Sequence, residues 1–221
     1  MRGRFLTFEG FDGCGKTTQL KLLAAYLRRR GVGVVVTREP GGTPLGERIR
    51  ALLLSSASRG MDVRTELLLM FASRAEHVAR VIQPALAAGK VVLCDRFTDA
   101  SLAYQGYGRG LERSFIRELD RVACRGLKPH LTFVVDINPR TSLRRAKRRN
   151  RRARADEERF ERETRAFYER VRRGYRAIAR AEPQRVQWVN GEDTIENIHR
   201  KIVTRAARRL GLTRMIGSSR C

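Results

Sequence analysis

A glycine-rich run near the amino terminus has the residue types of a phosphate-binding loop. Gly10 to Thr17 reads GFDGCGKT, which matches G-x-x-x-x-G-K-[ST], between a strand-like RFLTFE and a helix-like segment. Glycines let backbone N–H groups turn onto a β-phosphate, and the following helix directs its positive end there. Lys16 would reach the β- and γ-phosphates of ATP, and Thr17 would offer its hydroxyl to Mg²⁺. The predicted nucleotide-binding residues are Gly10, Phe11, Asp12, Gly13, Cys14, Gly15, Lys16, Thr17 and Thr18.

This loop does not by itself distinguish a kinase from a GTPase, a helicase or another ATPase. A chance glycine-rich turn is the alternative interpretation, and the flanking strand and helix argue against it. Cys14 stands where a small side chain avoids crowding the phosphates. We therefore interpret Cys14 as a space-filler rather than a nucleophile.

A second pair of candidate residues, Asp95 and Arg96, follows the apolar run VVLC. At the end of a strand, Asp95 could hold the Mg²⁺ shell, and Arg96 would supply a cation where negative charge collects during phosphoryl transfer. The alternative is a surface ion pair. Open α/β sheets bind ligands outside the carboxyl ends of their strands, so we predict that both residues are catalytic, together with Lys16.

A strongly basic segment, RRAKRRNRRAR, covers Arg144 to Arg154 with eight basic residues in eleven positions. Cations that close over a transferring γ-phosphoryl group can accelerate the transfer by about 10³-fold or more. The alternative is a solvated, partly disordered face, which is typical of a run of like charge. Several of these side chains could serve only to raise the surface potential or to touch nucleic acid incidentally.

Short apolar runs alternate with segments of helical periodicity. The predicted strands are Phe5–Phe8, Val32–Val36, Val91–Leu93, Leu131–Val135 and Val186–Val189. Helical spacing covers Lys16–Arg30, Thr65–Ala88 and Asp156–Arg180. Alternation of this kind predicts an α/β fold of the P-loop NTPase type, with three layers and a five-stranded parallel sheet flanked by helices.

Composition limits the class of protein and its partners. A chain of 221 residues, 42% hydrophobic, suits one domain, which we place at residues 1–221 with a frayed tail at about 212–221. The net charge of +24 favours anionic partners such as nucleotides. Four widely spaced cysteines indicate reduced thiols, and the apolar runs are shorter than the roughly 20 residues of a membrane span, so we expect a cytoplasmic protein.

Four motifs in register resemble the bacterial thymidylate kinase family: FEGFDGCGKTTQ, REPGGTPLGERIR, LCDRF and SLAYQGYGRG. The resemblance spans residues 5–154, including the basic segment, and extends to about residue 205. It implies an ATP- and Mg²⁺-dependent phosphorylation of dTMP to dTDP for dTTP biosynthesis, by a nucleoside monophosphate kinase that forms homodimers. Two rivals remain open, namely a kinase for another nucleoside monophosphate or a deoxynucleoside and, from a different class, a nucleic-acid-stimulated ATPase. A P-loop module that binds nucleotide without turnover is a third.

The resemblance implies roles around the phosphate of dTMP. Asp12 would reach the deoxyribose 3′-hydroxyl, and Arg96 would contact the acceptor phosphate. Arg48 matches another phosphate-binding arginine or its near neighbour, with Arg50 close by. Glu39 belongs to a turn that shapes the acceptor pocket, where its carboxylate could touch Mg²⁺ through water or cap the next helix.

For the base, the resemblance implies that Arg74 donates to thymine O4. The family has an aromatic residue one turn earlier that stacks on the ring, whereas this chain has Met70 four residues before Arg74 and Phe71 three before. Either could cover the base, and Phe71 could instead belong to the core. The residues implied around the sugar and base are completed by Tyr104, Ser101 and Gln105.

Some family members carry a catalytic arginine directly after the acidic residue of the loop, where this chain has Gly13. The family's other arrangement is a mobile lid of arginines, and the basic segment would form that lid at about residues 144–156. Candidates are Arg148, Arg149, Arg151 and Arg152, of which we assign Arg149 and Arg152 as catalytic.

Overall fold

A parallel β-sheet forms the centre of the molecule, in a computed structural model that describes residues 3–153, 159–160 and 163–211. Its strands are β1 (Arg4–Glu9), β2 (Val34–Arg38), β3 (Val91–Asp95), β4 (Leu131–Asp136) and β5 (Val186–Asn190). They pair in parallel in the order β2-β3-β1-β4-β5. The predicted five-stranded parallel sheet is therefore confirmed.

Helices cover both faces of this sheet. Within the described residues they are α1 (Lys16–Arg28), α2 (Pro44–Leu54), α3 (Val63–His77), α4 (Gln83–Ala87), α5 (Thr98–Ser101), α6 (Arg113–Cys124), α7 (Pro139–Ala153), α8 (Arg165–Ala181) and α9 (Ile195–Leu210). Two π-helical turns extend this set, since Val78–Ile82 joins α3 to α4 and Leu102–Gly108 continues α5. The predicted helix Thr65–Ala88 thus corresponds to α3, a π-helical turn and α4.

Alternation along the strands divides the core into two layers. Leu6 and Phe8 of β1 face the α1 and α9 side, where they pack with Phe133 of β4. Phe5 of β1 points to the opposite face and joins a cluster with Val78 and residues of β3. Successive residues of a strand point to opposite faces, so a strand buried on both sides is apolar at nearly every position.

The second predicted strand starts two residues later than expected. Gly31 ends the helical region with a left-handed φ of 71°, and the Val32 amide donates back to the Leu27 carbonyl at 3.1 Å. This closing hydrogen bond is typical of a glycine-capped helix and ties Val32 to α1. Pairing with β3 therefore begins at Val34.

The third predicted helical segment also differs. Its periodicity was predicted from Asp156, but α8 begins at Arg165, where the Thr164 hydroxyl accepts a hydrogen bond from the Phe167 amide at 3.2 Å. A threonine at this position satisfies an amide that has no partner within the helix. Residues 154–158 and 161–162 lie outside the described part of the chain.

Helix length and polarity bear on membrane association. No helix among the described residues is both long enough and apolar enough to cross a bilayer.

The three described cysteines, Cys14, Cys94 and Cys124, are free thiols and are buried.

Close backbone approach joins α8 to the π-helical turn Leu102–Gly108. A Cβ on Gly174 of α8 would lie 2.7 Å from Cδ2 of the Tyr107 ring. A Cβ on Gly108 would lie 2.7 Å from Cε2 of Phe167 on α8. Glycine at both positions lets the two helical segments pack closely. Tyr104 and Tyr175, one on each segment, then lie at the carboxyl edge of the sheet, where they contact Arg96 and Glu9.

We predict that Gly174→Ala lowers the free energy of unfolding by about 1–3 kcal/mol, because the added methyl group overpacks the contact with Tyr107. Urea denaturation followed by circular dichroism measures the change. Gly33→Ala is the matched control, since a Cβ there meets nothing closer than Lys90 Cγ at 3.4 Å. Equal unfolding midpoints for the two variants would contradict the prediction.

Candidate active site

The loop between β1 and α1 surrounds the ammonium group of Lys16. Lys16 Nζ donates to the Phe11 carbonyl at 3.2 Å and to Asp12 Oδ1 at 3.3 Å, and it lies 3.7 Å from Asp95 Oδ1. Gly15 precedes α1 in a left-handed conformation, and no side chain caps this helix. The first amides of α1 and a buried cation therefore converge on one point, which is the arrangement that binds phosphate.

Helix α7 packs directly against this loop. Ser142 Oγ donates to the Asp12 carbonyl at 2.7 Å. A Cβ on Gly13 would lie 2.5 Å from the Ser142 carbonyl oxygen and 2.9 Å from the Ala146 amide nitrogen, and Gly13 has φ of 81°. Position 13 thus has no room for an arginine in this arrangement.

Two oxygen ligands lie together beside Lys16. Thr17 Oγ1 donates to Asp95 Oδ2 at 2.6 Å, joining the start of α1 to the end of β3. A hydroxyl and a carboxylate are hard oxygen donors of the type that Mg²⁺ selects, and Mg²⁺ commonly keeps several waters beside such a pair. The donor set therefore fits the predicted metal ligands Thr17 and Asp95.

Arg96 has a backbone conformation that is uncommon for a residue with a side chain. Its φ is 72°, in the left-handed region. Its amide donates to the Phe8 carbonyl at 2.9 Å, and the Cys94 thiol donates to its carbonyl at 3.0 Å. The guanidinium lies 3.1 Å from Asp12 and donates to the Tyr104 hydroxyl at 3.3 Å. The turn therefore directs Arg96 back over the loop.

Two cavities meet at this point. The first (the arginine cavity) is lined by Asp12, Glu39, Pro40, Arg50, Leu54, Met70, Arg74, Arg96, Ala100, Ser101, Tyr104, Gln105 and Phe160. The second (the loop cleft) includes in its lining Asp12, Gly13, Gly15, Lys16, Thr17, Thr18, Thr37, Glu39, Arg50, Asp95 and Arg96. Four residues are common to both walls, namely Asp12, Glu39, Arg50 and Arg96. A group bound in one cavity would therefore reach a group bound in the other at these side chains.

A buried ion pair supports the arginine cavity. Arg74 Nε donates to Glu39 Oε2 at 2.7 Å, and Arg74 Nη1 donates to Ser101 Oγ at 3.1 Å. The other carboxylate oxygen of Glu39 lies 2.9 Å from His77 Nδ1. Burial opposes ionisation of Glu39, but the Arg74 charge and the His77 hydrogen bond outweigh it and lower the pKa of this carboxyl.

Comparison with known proteins places the chain in a family. The family model described as thymidylate kinase matches residues 8–202. The chain belongs to the thymidylate kinase family. It is 50% identical over 209 residues to a thymidylate kinase of Geotalea uraniireducens, covering 94% of this chain and 98% of that protein. It is 52% identical over 195 residues to a thymidylate kinase of Geobacter sulfurreducens, covering 88% and 92%. The crystal structure of an Ehrlichia chaffeensis thymidylate kinase is similar with a TM-score of 0.73 and 38% identity, covering 92% and 98%.

In this thymidylate kinase family member, three predicted loop residues lie behind the loop cleft. Gly10, Phe11 and Cys14 are buried, and the Phe11 ring contacts the Tyr168 ring with centroids 5.4 Å apart. Burial raises the pKa of the Cys14 thiol, which suits a space-filler. The other predicted loop residues, Asp12, Gly13 and Gly15 to Thr18, line the cleft itself.

The placement of Arg48 differs from the expectation. Arg48 is exposed on α2, whereas Arg50 lines both cavities and donates Nη1 to the Pro40 carbonyl at 3.2 Å. Two residues apart on a helix, the side chains point about 200° away from each other. Because α2 buries Ile49 and Leu53 against the protein, Arg50 and not Arg48 turns towards the cavities.

Met70 and Phe71 divide the roles that the sequence left open. Met70 lines the arginine cavity, while Phe71 is 4% exposed and packs with Leu67 and Ile116. The Arg74 guanidinium lies over the Phe71 ring, 4.6 Å from its centroid. Phe71 therefore belongs to the core and supports Arg74 from behind, and it does not face the cavity.

Phe160 lines the arginine cavity, although it was not among the predicted site residues. Its ring meets the Tyr104 ring edge-on with centroids 5.9 Å apart, and it lines the arginine cavity. The sequence offered only its apolar character, which suggested a helix stripe. Folding of the chain after α7 decides where this ring lies.

Glu39 and Gln105 have protein partners. The Glu39 carboxylate contacts Arg74 and His77, and α2 is capped instead by Thr43, whose hydroxyl accepts from the Gly46 amide at 2.9 Å. Gln105 Nε2 donates to the buried carboxylate of Glu66 at 2.7 Å. Helix capping was thus the wrong alternative for Glu39.

The basic segment is helical as far as Ala153, in α7. Arg148 is exposed on this helix. The side chains of Arg149, Arg151 and Arg152 lie outside the described part of the chain, as do residues 154–158. The assignment of Arg149 and Arg152 as catalytic stays a prediction.

Glu9 is a second residue that the sequence did not reveal as special. It is fully buried at the end of β1, accepting the Phe97 amide at 2.8 Å and the Tyr175 hydroxyl at 2.9 Å. Burial and the nearby Asp99 carboxylate raise the pKa of Glu9 to about 8, although Arg96 opposes the shift. Through its hydrogen bond with the Phe97 amide, Glu9 therefore fixes the turn that follows Asp95.

We predict that Glu9→Gln changes the pH dependence of stability. Because the folded-state pKa is about 8 and the ordinary value is 4.5, the native protein retains a proton between these values that the unfolded chain has lost. Wild-type stability should therefore fall, relative to the variant, as pH rises from about 5 to about 8. Urea unfolding at pH 5, 6.5 and 8 measures the free energy of unfolding of both proteins. The same change with pH in both would contradict the raised pKa of Glu9.

Proposed function

We propose that this protein transfers the γ-phosphoryl group of ATP to dTMP, producing ADP and dTDP for dTTP synthesis. The observation that carries the proposal is the junction of the two cavities at Asp12, Glu39, Arg50 and Arg96. ATP phosphates would occupy the loop cleft, and dTMP would occupy the arginine cavity with its phosphate at the junction. Membership of the thymidylate kinase family and this geometry support the same reaction.

Positioning and charge neutralisation would carry the chemistry. The acceptor phosphate oxygen is already anionic, so it attacks the γ-phosphorus in line without a general base. Lys16 lies where it can neutralise the β- and γ-phosphates, and Arg96 and Arg50 lie where they can hold the acceptor phosphate. Mg²⁺, held by Thr17 and Asp95 when bound, would neutralise charge on the phosphate oxygens.

Acceptor selection would reside in the wall of the arginine cavity. Arg74 donates to Glu39 and to Ser101, and this fixed orientation supports the assignment of its guanidinium to thymine O4. Tyr104 is fixed by Arg96 and by neighbouring rings, which suits a side chain that crowds the sugar C2′. Met70 would cover the base, since its polarizable thioether packs well against a ring.

We predict that dTMP gives the highest kcat/KM among dTMP, dUMP, dCMP, AMP and thymidine in a coupled ADP-release assay with ATP and Mg²⁺. EDTA should abolish turnover, because the metal neutralises the transferring phosphates. A better acceptor than dTMP would overturn the substrate assignment. Turnover that rises with DNA or RNA and ignores dTMP would favour the ATPase alternative. Nucleotide affinity without transfer to any acceptor would indicate a binding module.

Arginines of the basic segment would complete the site as a lid. α7 begins next to the loop and runs from Pro139 to Ala153, with Ser142 bonded to Asp12. Arg149 and Arg152 follow Ala146, whose amide nitrogen lies against Gly13, by three and six residues in the same helix. Arg149 and Arg152 are the residues that we assign to the transferring group.

We predict that Arg149→Ala combined with Arg152→Ala lowers kcat at least tenfold while KM for both substrates changes less, because these contacts form chiefly in the transition state. Steady-state kinetics with each substrate varied in turn measures both parameters. Arg200→Ala combined with Arg208→Ala on α9, two exposed positions, is the matched control for loss of charge. An unchanged kcat in the lid variant would remove the lid from the mechanism.

The same proposal includes a homodimer. Large apolar side chains are exposed on α2, α3 and α6, where α3 packs against both of the other helices. They are Leu45, Leu52, Leu68, Phe115 and Val122. A second copy of the chain would remove this apolar surface from water.

Location and other partners follow from the same assignment. We place the enzyme in the cytoplasm as a single catalytic domain, which agrees with the free, buried state of the described cysteines. The positive surface would attract nucleic acid only incidentally, through phosphate contacts that carry no sequence information.

A further inference from the structure

A chain of buried hydrogen bonds joins the loop cleft to the arginine cavity. Thr37 Oγ1 lies 2.6 Å from His77 Nε2, and His77 Nδ1 lies 2.9 Å from Glu39 Oε1. Glu39 Oε2 then accepts from Arg74 Nε at 2.7 Å. Thr37 lines the loop cleft and Arg74 lines the arginine cavity, while His77 itself lines neither. His77 therefore acts on a ligand only through its neighbours.

The direction of each hydrogen bond follows from the chemistry of its partners. An ionised carboxylate only accepts, so Glu39 Oε1 accepts a hydrogen bond from Nδ1 of His77. In the neutral ring, Nε2 then accepts from the Thr37 hydroxyl. The side chain of His77 is fully buried, and that of Glu39 is 3% exposed. Loss of the imidazole would leave Glu39 Oε1 without a partner in a buried site, which is costly.

Both oxygens of Glu39 are thus committed to different partners. His77 holds one oxygen, and Arg74 holds the other. This fixes rotation of the carboxylate about its terminal bond and thereby fixes the plane in which it meets the guanidinium. Arg74 is held on its other side by the Phe71 ring, so the orientation of the fork depends on Glu39.

The turn after Glu39 closes over the imidazole. A Cβ on Gly42 would lie 2.6 Å from His77 Nε2 and 2.7 Å from Thr37 Oγ1. The neighbouring Gly41 amide donates to Ser73 Oγ on α3 at 3.2 Å. Glycine at position 42 therefore lets the backbone pack onto His77, and the ring has no space in which to turn away from Glu39.

We propose that His77 is a positioning residue for acceptor recognition, because it fixes Glu39 and, through Glu39, the guanidinium fork of Arg74. The proposal rests on the proposed phosphorylation of dTMP. It assigns a role to a buried histidine that lies outside every motif singled out in the sequence. His77 makes no step of the reaction itself.

His77→Leu should raise KM for dTMP roughly tenfold, as expected for loss of one hydrogen bond to a charged group, while KM for ATP stays within about twofold. His77→Gln should have a smaller effect, because its amide can still donate to Glu39. His130→Gln is the matched control, since His130 Nδ1 accepts the Phe5 amide at 3.1 Å on another part of the sheet. That variant should lower the melting temperature without changing KM for dTMP.

A double-mutant cycle tests the route through Arg74. In an Arg74→Ala background the substitution of His77 should add less than about twofold to KM for dTMP, because its target is gone. The same tenfold rise in both backgrounds, or an equal rise in KM for ATP, would overturn the proposal. Should His77→Leu fail to melt cooperatively, the cycle is run with His77→Gln, whose smaller rise in KM for dTMP should disappear in the Arg74→Ala background; a rise of the same size in both backgrounds would overturn the proposal. Wild-type protein without activity towards dTMP would instead overturn the proposed function.

Discussion

The parallel pairing of β1 with β3 is the constraint on which the rest of the site depends. The register places Phe8 opposite Asp95, so the loop after β1 and the turn after β3 leave the sheet side by side. The Arg96 amide returns to the Phe8 carbonyl and fixes the second turn against the first. A shift of one residue in this register would point Asp95 and its neighbours to the wrong faces of the sheet. Thr17, Asp95 and Lys16 meet because this register holds.

Three buried carboxylates link the site to the scaffold, each in a different way. Burial and the nearby Asp99 carboxylate raise the pKa of Glu9, which accepts hydrogen bonds from the Phe97 amide and from the Tyr175 hydroxyl. Glu39 has a lowered pKa because it is paired with Arg74. Glu66 accepts from Arg109, from Arg159 and from the cavity residue Gln105. A buried charge is tolerated where hydrogen bonds and an opposite charge replace water.

The contact between α7 and the loop explains why the loop carries glycine after its acidic residue. The backbone of α7 occupies the space that a side chain at position 13 would need. Within the loop, Lys16 is the cation that faces the cleft, because position 13 has no space for a second one. The hydrogen bond from Ser142 to the Asp12 carbonyl holds α7 in this position.

The parallel sheet, the phosphate-binding loop and the strand-end position of Asp95 and Arg96 could be predicted from the residues alone. Alternating apolar runs can be buried in few ways, and the spacing of G-x-x-x-x-G-K-[ST] is a local property of one turn. Strand limits were predicted less well, because a helix-closing hydrogen bond held Val32 back from the sheet. Features that depend on neighbouring residues, such as this loop motif, can be predicted from a single segment of the sequence.

Which of several similar neighbours faces a cavity depends instead on how distant segments pack together. Arg50 rather than Arg48, and Met70 rather than Phe71, depend on how α2 and α3 rotate to bury their apolar sides. The partners of Glu39 and the position of Phe160 depend on segments far apart in the chain. Rotation of a helix and contact between distant segments are set by packing of the whole core, which the spacing of residues within one segment does not contain.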